Sequence, residues 1–565
     1  MAKKSVVSKA KKSATKVAKK VTKAASKTAK KVTKTTSKTT KKVTKAAKEP
    51  VIAIKSTCDI ELLLRQHVGK PCVPCVKKGD KVTVGTLIAR PQGLGANIHS
   101  SVDGVVSKIT NEAIFIKPSG TLTAIGHKVS KPISAKKEDL LGRVTEAGVV
   151  GMGGAGFPTG VKLSTDLKGG YILVNAAECE PVFVHNMSQI LKYPKEIIKG
   201  IQYCMKISNA SKAIIALKPR HVPQLNSLME ALKGINNIRI HILPYGPSGE
   251  ERAVVRECLG VLLPVTALPS EAGAHVINVE TVLRVYEAIE YGRPCVSKTL
   301  TVAGKLKNGR QPTVFMDLPV GMKVKDVLEL AGGIDGKYGE IIMGGPFMSK
   351  PCKLDDPITK TTGGLIVTEP FKDFKGAKTG ILVCACGGDE ARLRDVAAKQ
   401  NMKVVEVQFC KQALDPKGNG VRKCENPGNC PGQAIKCMNI KKAGATDILV
   451  ANCEDCTNTV MGSAPGLGLT VHHQSDNVFD TFGMENVRKL KHSKYYEGPI
   501  PEGCTASTGP NYKIFKTNEV ASSVNKDSGV SEDYSKPYVF KEDTPDGELV
   551  ISIENGSDIS IKYEE

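Results

Sequence analysis

The residues best suited to chemistry are a glycine-rich loop and the acidic segment that follows it. Residues 151–160 read Gly-Met-Gly-Gly-Ala-Gly-Phe-Pro-Thr-Gly, and a strand-like stretch then leads to Asn175, Glu178 and Glu180. Glycines leave the backbone bare, so that a flat ring or a pyrophosphate can approach it closely. Carboxylates just beyond a strand lie where open α/β sheets hold their ligands. The pattern predicts a binding site for a molecule that carries such a ring or pyrophosphate.

A second group of reactive residues is a run of cysteines nearer the C-terminus. Several of them follow predicted β-strands, and the carboxyl ends of parallel strands gather along one edge of a sheet. Convergence there would allow an iron–sulfur cluster, a relay of redox thiols or a zinc site, and the alternative is a set of scattered structural cysteines. The candidate metal or redox ligands are Cys384, Cys386, Cys410, Cys453 and Cys456.

Composition separates a basic tail from an ordinary globular chain. The 565 residues carry a net charge of +25, and residues 1–50 alone hold 18 Lys and one Glu. Such a tail has too little apolar surface to fold alone, so it is predicted to be disordered, and its charge is compatible with an acidic partner, nucleic acid or simple solubility. The 17 cysteines, with no signal peptide and no apolar run that could span a bilayer, predict a cytoplasmic protein with reduced or metal-bound thiols.

The elements that must position these residues are two alternating strand–helix regions. The alternation predicts parallel sheets with helices on both faces, hence an α/β, multidomain fold. The glycine loop and its acidic segment belong to the first region, and the cysteines belong to the second. Predicted strands lie at 171–174, 213–217, 238–243, 381–383, 403–407, 447–451 and 469–472, and predicted helices lie near 186–200, 222–234, 250–260 and 279–291.

Loop, strand and acidic turn, in this order, resemble the flavin- and NADH-binding core shared by the NADH-oxidising flavoprotein subunit of respiratory complex I and the C subunit of the Rnf electron-transport complex. The resemblance implies FMN and NAD(H) as cofactors, with NADH flanked by the Gly-Glu-Glu segment before a later helix. Ala177 stands where complex I usually has an aspartate and agrees with the Rnf type. The implied cofactor-binding residues are Gly151, Gly153, Gly154, Gly156, Phe157, Lys162, Asn175, Glu178, Glu180, Gly249, Glu250 and Glu251.

The same resemblance names the domains. It implies a lipoyl-like barrel-sandwich β domain, a Rossmann-like FMN- and NADH-binding α/β domain and an SLBB β-grasp domain, followed by a second, Cys-rich α/β domain. A hairpin around an Asn-Gly turn is predicted in the acidic C-terminal extension. The predicted boundaries are 1–50 for the disordered Lys-rich tail, 51–135, 136–295, 296–375 and 376–500 for the four domains, and 501–565 for the extension.

The cysteine-rich half departs from the Rnf type, because the two expected Cys-x-x-Cys-x-x-Cys-x-x-x-Cys-Pro runs are absent from the sequence. An Rnf-C-like front joined to this back, which includes Cys424 and Cys430, resembles the proline-reductase-associated electron-transfer proteins of the PrdC type. That resemblance implies a partner reductase, D-proline reductase, as electron acceptor.

These observations predict an NADH:acceptor oxidoreductase that passes electrons from NADH through FMN, and through the C-terminal cysteines or an iron–sulfur cluster, to a partner protein. No catalytic side chain is predicted, because the cofactor performs the redox step. The alternatives are an electron-transfer adaptor or scaffold without flavin, a cobalamin-reductase-like protein, and a nucleic-acid-associated protein that depends on the tail.

Overall fold

A computed structural model of the protein divides the chain into two units, Met1–Val51 and Ile52–Glu565. The tail predicted at 1–50 lies outside the described residues, and so do Cys386, Cys453 and Cys456. The structure describes residues 53–54, 58–126, 129–244, 249–348, 350–385, 388–416, 418, 422–427, 430, 432–451, 460–484, 498–507, 513–514, 538–544, 547–554 and 558–564.

The first module consists of short antiparallel strands in two small sheets of order β2-β8-β7-β4 and β3-β5-β6, with β1 paired to β9. Alternate residues of the longer strands, such as Val106, Ile114 and Ile116, are buried, as expected for a sheet with one face on a core. The strands are β1 Ala53–Ile54, β2 Ile60–Leu63, β3 Val73–Pro74, β4 Lys81–Val82, β5 Leu87–Arg90, β6 Ile98–His99, β7 Gly104–Ile109, β8 Ala113–Pro118 and β9 Leu122–Thr123.

The second module is a parallel sheet with helices. Its strand order is β14-β10-β11-β12, and the apolar run 172–174 at its centre is fully buried, which is typical of a strand covered on both faces. The elements are α1 Leu140–Glu146, α2 Thr159–Leu163, β10 Tyr171–Ala176, α3 His185–Lys192, α4 Pro194–Ile207, β11 Lys212–Leu217, α5 Val222–Ala231, β12 Ile238–Ile242, α6 Glu251–Leu259, β13 Val261–Leu262, a short 3₁₀-helix Pro269–Ala272, β14 Ala274–Asn278 and α7 Val279–Tyr291.

The sequence predicts one helix near 186–200, and the structure has two helices there. The prediction of a single continuous helix was therefore wrong. Tyr193 lies between them with φ −128° and ψ 44°, which is not helical, and Pro194 opens α4. Proline lacks an amide donor and suits the first position of a helix rather than its interior. The break therefore follows from one residue inside an otherwise helical pattern.

The third module is a mixed five-stranded sheet of order β16-β15-β19-β17-β18 with one helix. It shares a single apolar core with the first module, in which Ile60 and Ile116 pack in one cluster with Leu300 and Phe315. The elements are β15 Ser297–Gly304, β16 Thr313–Pro319, α8 Val324–Leu330, β17 Ile341–Met343, β18 Lys350–Cys352 and β19 Gly364–Val367.

The fourth module is a second parallel sheet, of order β21-β20-β24-β25. Its inner strands are apolar and buried, and the predicted strands here match the observed ones in place. The elements are β20 Lys378–Val383, α9 Glu390–Lys399, β21 Lys403–Phe409, β22 Ala413–Leu414, β23 Lys423–Cys424, α10 Ala434–Lys442, β24 Asp447–Val450, a 3₁₀-helix Pro465–Leu467, β25 Thr470–His473 and α11 Asp476–Phe482.

The chain then returns to the second module. β26, Cys504–Ala506, adds a parallel strand beside β12, and β27, Lys513–Ile514, pairs with β13. His241 on β12 bonds through its two ring nitrogens to Thr505 and Ser507 at 2.8 and 2.9 Å. A last antiparallel sheet holds β28 Tyr538–Thr544, β29 Gly547–Glu554 and β30 Asp558–Glu564, and Glu554 pairs with Asp558 where the Asn-Gly hairpin was predicted.

These modules give a mixed α/β, multidomain protein, as predicted. A buried cluster of charges, which we term the ionic cluster, joins the second module to the third. On α7, the Arg284 guanidinium lies 3.0 Å from Glu280 and 2.8 Å from Asp317 of β16, and the fully buried Lys298 ammonium of β15 bonds to Glu280. Among the described helices none is long and apolar enough to cross a membrane.

Candidate functional site

The glycine loop leaves α1 and enters α2 as a tight turn with an exposed tip. The Gly151 amide donates to Phe157 O, and the Gly156 amide donates to Gly151 O, both at 2.9 Å. Gly154 has φ +104°, a conformation that side chains rarely adopt, and a Cβ there would meet nothing within 4 Å. Gly153 and Gly154 are exposed, so the loop presents bare backbone as a ledge.

Two other parts of the chain hold this ledge in place. Val68 of the first module donates its amide to Gly156 O at 2.9 Å, and the Met152 amide donates to Thr281 Oγ1 on α7 at 2.9 Å. A Cβ at Gly153 would lie 3.0 Å from Asn278 Nδ2, at the end of β14. The ledge is therefore fixed over the carboxyl edge of the second module's sheet, where open parallel sheets hold ligands.

Asparagines at that edge tie the loops together. Asn175 on β10 donates from Nδ2 to Gly249 O at 2.8 Å and accepts the Ala177 amide at 3.1 Å. Its register partner on β14, Asn278, caps α7 through the Glu280 amide and donates to Asn186 Oδ1 at 2.7 Å. The sequence interpretation missed Asn278, although an asparagine directly before a predicted helix is an N-cap signal.

Glu178 lies in a strained turn beside this network. Its φ of +39° is rare for a residue with a side chain, and such strain gathers at functional sites. Its carboxylate accepts the Asn186 amide at 3.2 Å, and its carbonyl accepts Arg220 Nη2 at 2.7 Å. Burial raises the pKa of Glu178 to about 7, although the Asn186 amide and the Lys298 charge act in the opposite direction.

Glu180 contacts the third module. Its two carboxylate oxygens accept the backbone amides of Phe347 and Met348 at 2.8 and 3.0 Å. Burial raises its pKa to about 7, and the two amides partly offset that rise. Next to it, His185 is buried with Nδ1 3.2 Å from Thr301 Oγ1 on β15, and burial holds its pKa well below the ordinary value.

The Gly-Glu-Glu segment opens α6. Glu250 caps the helix by accepting the Ala253 amide at 2.9 Å, and Glu251 is half-exposed with its carboxylate 3.6 Å from Lys162 Nζ. Lys162 also donates to Val276 O at 3.0 Å, and its ammonium lies 6.0 Å from the centre of the Phe157 ring. The structure thus brings the start of α6 to the helix that follows the glycine loop.

Cys179 fills the space between the acidic turn and α6. A Cβ at Gly249 would lie 2.5 Å from its sulfur, so only glycine fits opposite it. Burial raises the pKa of the Cys179 thiol to about 11. A thiol kept protonated in this way packs as a small apolar group and is a poor nucleophile.

The fourth module places cysteines at the carboxyl edge of its own sheet. Cys384 follows β20 and Cys410 follows β21, and the Cys410 amide donates to Val383 O at 2.9 Å, so the two cysteines are adjacent across the strand pair. Gln433 Nε2 donates to the sulfurs of Cys410 at 3.1 Å and Cys430 at 3.5 Å. We term these three cysteines and Gln433 the sulfur cluster. The Cys384 hydrogen bond lowers the pKa of Cys410 in spite of burial.

Of the five cysteines predicted as ligands, the structure therefore brings Cys384 and Cys410 together. Cys386, Cys453 and Cys456 lie outside the described residues. Within the described part of the chain, no group of three or more His, Cys, Asp or Glu side chains is placed to hold a metal ion.

Helix α6 connects the two sheet edges. Arg252 Nη2 donates to Cys424 O at 2.6 Å, and Arg256 Nη1 donates to Asn426 Oδ1 and Pro427 O at 2.6 and 2.7 Å. Cys424 belongs to the β22–β23 hairpin and packs in one apolar cluster with Cys410. The helix that begins at the glutamate pair thus also fixes the hairpin beside the sulfur cluster.

Comparison with known proteins gives two family matches. The model of the Nuo51 FMN-binding domain matches residues 144–287, which contain the ledge and the edge asparagines. The model of the RnfC barrel sandwich hybrid domain matches residues 30–126, and so begins inside the segment predicted as a tail.

Relatives extend these matches. The C subunit of the proton-translocating ferredoxin:NAD(+) oxidoreductase complex of Clostridium ljungdahlii is 32% identical over 337 residues, which cover 57% of this chain and 73% of that protein. Cobalamin reductase PduS of Salmonella typhimurium is 39% identical over 240 residues, covering 42% of this chain and 51% of that protein. Among solved structures, an NAD+-reducing nickel–iron hydrogenase in the H2-reduced state aligns with a TM-score of 0.35 and 22% sequence identity. The alignment covers 44% of this chain and 52% of the hydrogenase chain.

Proposed function

This chain belongs to the RnfC-like family of oxidoreductase subunits, and we propose that it oxidises NADH on FMN and passes the electrons to a partner reductase. The family matches confirm the predicted class, an oxidoreductase with FMN and NAD(H) as cofactors. The observation that carries the proposal is the exposed glycine ledge over the carboxyl edge of the second module's sheet. The chain spans only about half of the cobalamin reductase that it matches.

The residues present fit a planar cofactor. At Gly154 a Cβ would point into open space, so the ledge offers a bare surface on which a ring can lie. Asn175 and Asn278 fix the loops around it, and Lys162 places a positive charge near the start of α6. The redox chemistry at the site is that of bound FMN, which accepts a hydride equivalent from NADH and releases electrons singly or in pairs. In this proposal Lys162 binds phosphate, and Glu251 lies beside the NADH.

The raised pKa values of Glu178 and Glu180 fit a site that excludes water. The Glu178 carboxylate accepts one backbone amide and the Glu180 carboxylate accepts two, so neither depends on a ligand for its geometry. In the proposed complex, Glu178 lies beside the flavin, and Glu180 keeps the third module against the acidic turn. Gly151, Gly156, Phe157 and Glu250 act by shaping the ledge and the start of α6.

The finer assignments belong to the same proposal. We assign the third module as an SLBB β-grasp domain, the fourth as the electron-exit domain, and the predicted boundaries as the domain boundaries. The cysteines at the fourth module's sheet edge would carry electrons away, either as redox thiols or in an iron–sulfur cluster. D-proline reductase is the proposed acceptor, in the cytoplasm, and the Lys-rich tail is proposed to bind an acidic partner.

A second candidate is reduction of cobalamin. Its support is the 39% identity to cobalamin reductase PduS, which is higher than that to the Rnf protein but extends over fewer residues. Purified protein with FMN and NADH, offered oxidised cobalamin and D-proline reductase in separate anaerobic assays, distinguishes the two acceptors. Faster oxidation of NADH with D-proline reductase supports the first proposal, and faster oxidation with cobalamin supports the second.

A matched pair of glycine variants tests the flavin site. Gly154→Ala and Gly234→Ala both place a side chain at a positive φ, +104° and +80°, and at both a Cβ would have open space. We expect both variants to lose a similar stability, about 1 kcal/mol. Only Gly154→Ala should weaken FMN binding, by about tenfold or more, measured by fluorescence titration of the apoprotein. Equal FMN affinity in both variants would contradict a flavin on the ledge.

A further inference from the structure

The sulfur cluster is a group of reactive side chains that the flavin site does not use. Val383 of β20 and Phe409 of β21 are paired in register. Cys384 and Cys410 are the next residues along these two strands. The Cys410 amide donates to Val383 O at 2.9 Å, which continues the strand pairing by one residue. Neighbouring strands lie about 4.8 Å apart, and disulfides need Cα atoms roughly 4.4–6.8 Å apart. The backbone therefore holds the two cysteines at a spacing that a disulfide can bridge.

The two side chains are also neighbours, since hydrogen bonding by Cys384 is the largest cause that lowers the pKa of Cys410. The Gln433 amide donates to the Cys410 sulfur at 3.1 Å. Both residues are buried, so the pair is protected from random exchange with thiols in solution.

A chain of contacts through α6 links the pair to the segment that opens that helix. Cys410 packs with Cys424, and the Cys424 carbonyl accepts Arg252 of the helix that begins at the glutamate pair. The segment that packs against Cys410 is thereby attached to the helix that begins at the glutamate pair.

We propose that Cys384 and Cys410 are a redox-active pair that cycles between a disulfide and a dithiol, and so stores the two electrons delivered by reduced flavin. The inference rests on the proposed function. In the reducing step the sulfur–sulfur bond breaks, Cys384 takes up one proton, and Cys410 remains as a thiolate that accepts the Gln433 hydrogen bond. The reduced, anionic flavin loses two electrons and one proton in return, so the step balances. The partner reductase then takes the electrons and restores the disulfide.

The test uses the full chain, prepared without oxygen, with FMN bound. The protein is oxidised with diamide and divided into samples that receive buffer, NADH, or a phosphine reductant. Thiols are then alkylated, and the digest is analysed by mass spectrometry for a peptide pair joined through Cys384 and Cys410. We expect the joined pair after diamide and its loss after either reductant, with one extra NADH consumed per chain.

Variants give the control. Cys384→Ser and Cys410→Ser should abolish both the joined pair and the extra NADH consumption. Cys437→Ser alters another buried cysteine of the same module and should leave both readouts intact. Failure to form the joined pair, or extra NADH that persists in Cys384→Ser, overturns the inference. An iron–sulfur chromophore that is lost in both variants overturns it as well.

The outcomes also separate this inference from the proposed function. If the joined pair forms and only the phosphine cleaves it, Cys384 and Cys410 do form a disulfide, but reduced flavin is refuted as its reductant. If NADH reduces the bound FMN and no joined pair ever forms, the proposed function stands and the dithiol is refuted.

Discussion

The second and fourth modules are built on the same plan and carry different chemistry. Both are parallel sheets whose candidate site residues collect at the carboxyl edge, and in each a helix begins close to that edge. The second module holds a glycine ledge and asparagines there, and the fourth holds sulfurs. The sheet decides where reactive groups meet, while the residue types that follow each strand decide which ligand or electron carrier the edge can serve.

The two modules also differ in how they are attached. The second is joined to the third through the ionic cluster, in which Glu280 and Lys298 are fully buried. The fourth is joined to the second through Arg252 and Arg256, which donate mainly to backbone carbonyls. Removing one member of a buried charge pair leaves an uncompensated charge. Removing a hydrogen bond to a carbonyl leaves an unsatisfied neutral acceptor, which costs less free energy. The first attachment should therefore be the more costly to disturb.

The largest effect is expected for Glu280→Gln. Glu280 compensates both Arg284 and Lys298, so its neutralisation should lower the free energy of unfolding by about 3–5 kcal/mol, measured by denaturant titration. Glu290→Gln is the control, because Glu290 pairs with the exposed Lys137 and should cost about 1 kcal/mol or less. Equal losses in the two variants would contradict the difference between a buried and a surface charge pair.

A smaller effect is expected for Arg256→Ala. The variant removes the bonds to Asn426 and Pro427 and leaves the buried Glu257 carboxylate without its Arg256 partner. The hairpin that carries Cys424 should therefore open locally, at a cost of about 3 kcal/mol. Alkylation of Cys424 should become faster while FMN affinity is unchanged. Arg239→Ala, at an exposed position of β12, should alter neither. An unchanged alkylation rate in Arg256→Ala would show that these bonds do not hold the hairpin.

The smallest effect concerns pH. Burial raises the pKa of Glu180 from 4.5 to about 7, so its ionisation is disfavoured in the folded protein relative to the unfolded chain. The resulting stability is fully present below pH 4.5 and is lost as the pH rises through 7. Glu180→Gln cannot ionise, so its free energy of unfolding should improve relative to the parent protein between these pH values. A difference that does not vary with pH would contradict the raised pKa.

The sequence predicts the two sheets well because their strands are short apolar runs bounded by turns. The predicted strands 171–174 and 238–243 differ from the observed β10 and β12 by no more than two residues at an end. β14 was not predicted, because His275 and Asn278 interrupt its apolar pattern. Its existence depends on packing beside β10, which local preferences do not record.

The predicted site shows the same limit. The glycine ledge and the meeting of Cys384 with Cys410 follow from spacing along the chain and from the geometry of parallel strands. The contacts of Glu180 with Phe347 and of His185 with Thr301 join residues more than 100 positions apart. No local pattern could reveal that the acidic turn also fastens one module to another.

The return of the chain to β26 makes the cysteine-bearing half an insertion rather than an appended tail. The segment that follows this half is anchored on the second module, since β26 pairs with β12 and β27 pairs with β13. Truncating the chain after the third module would therefore also remove β26, the edge strand beside β12 in the second module. Chimaeras that exchange the fourth module between relatives should therefore keep residues 504–514 of the host chain.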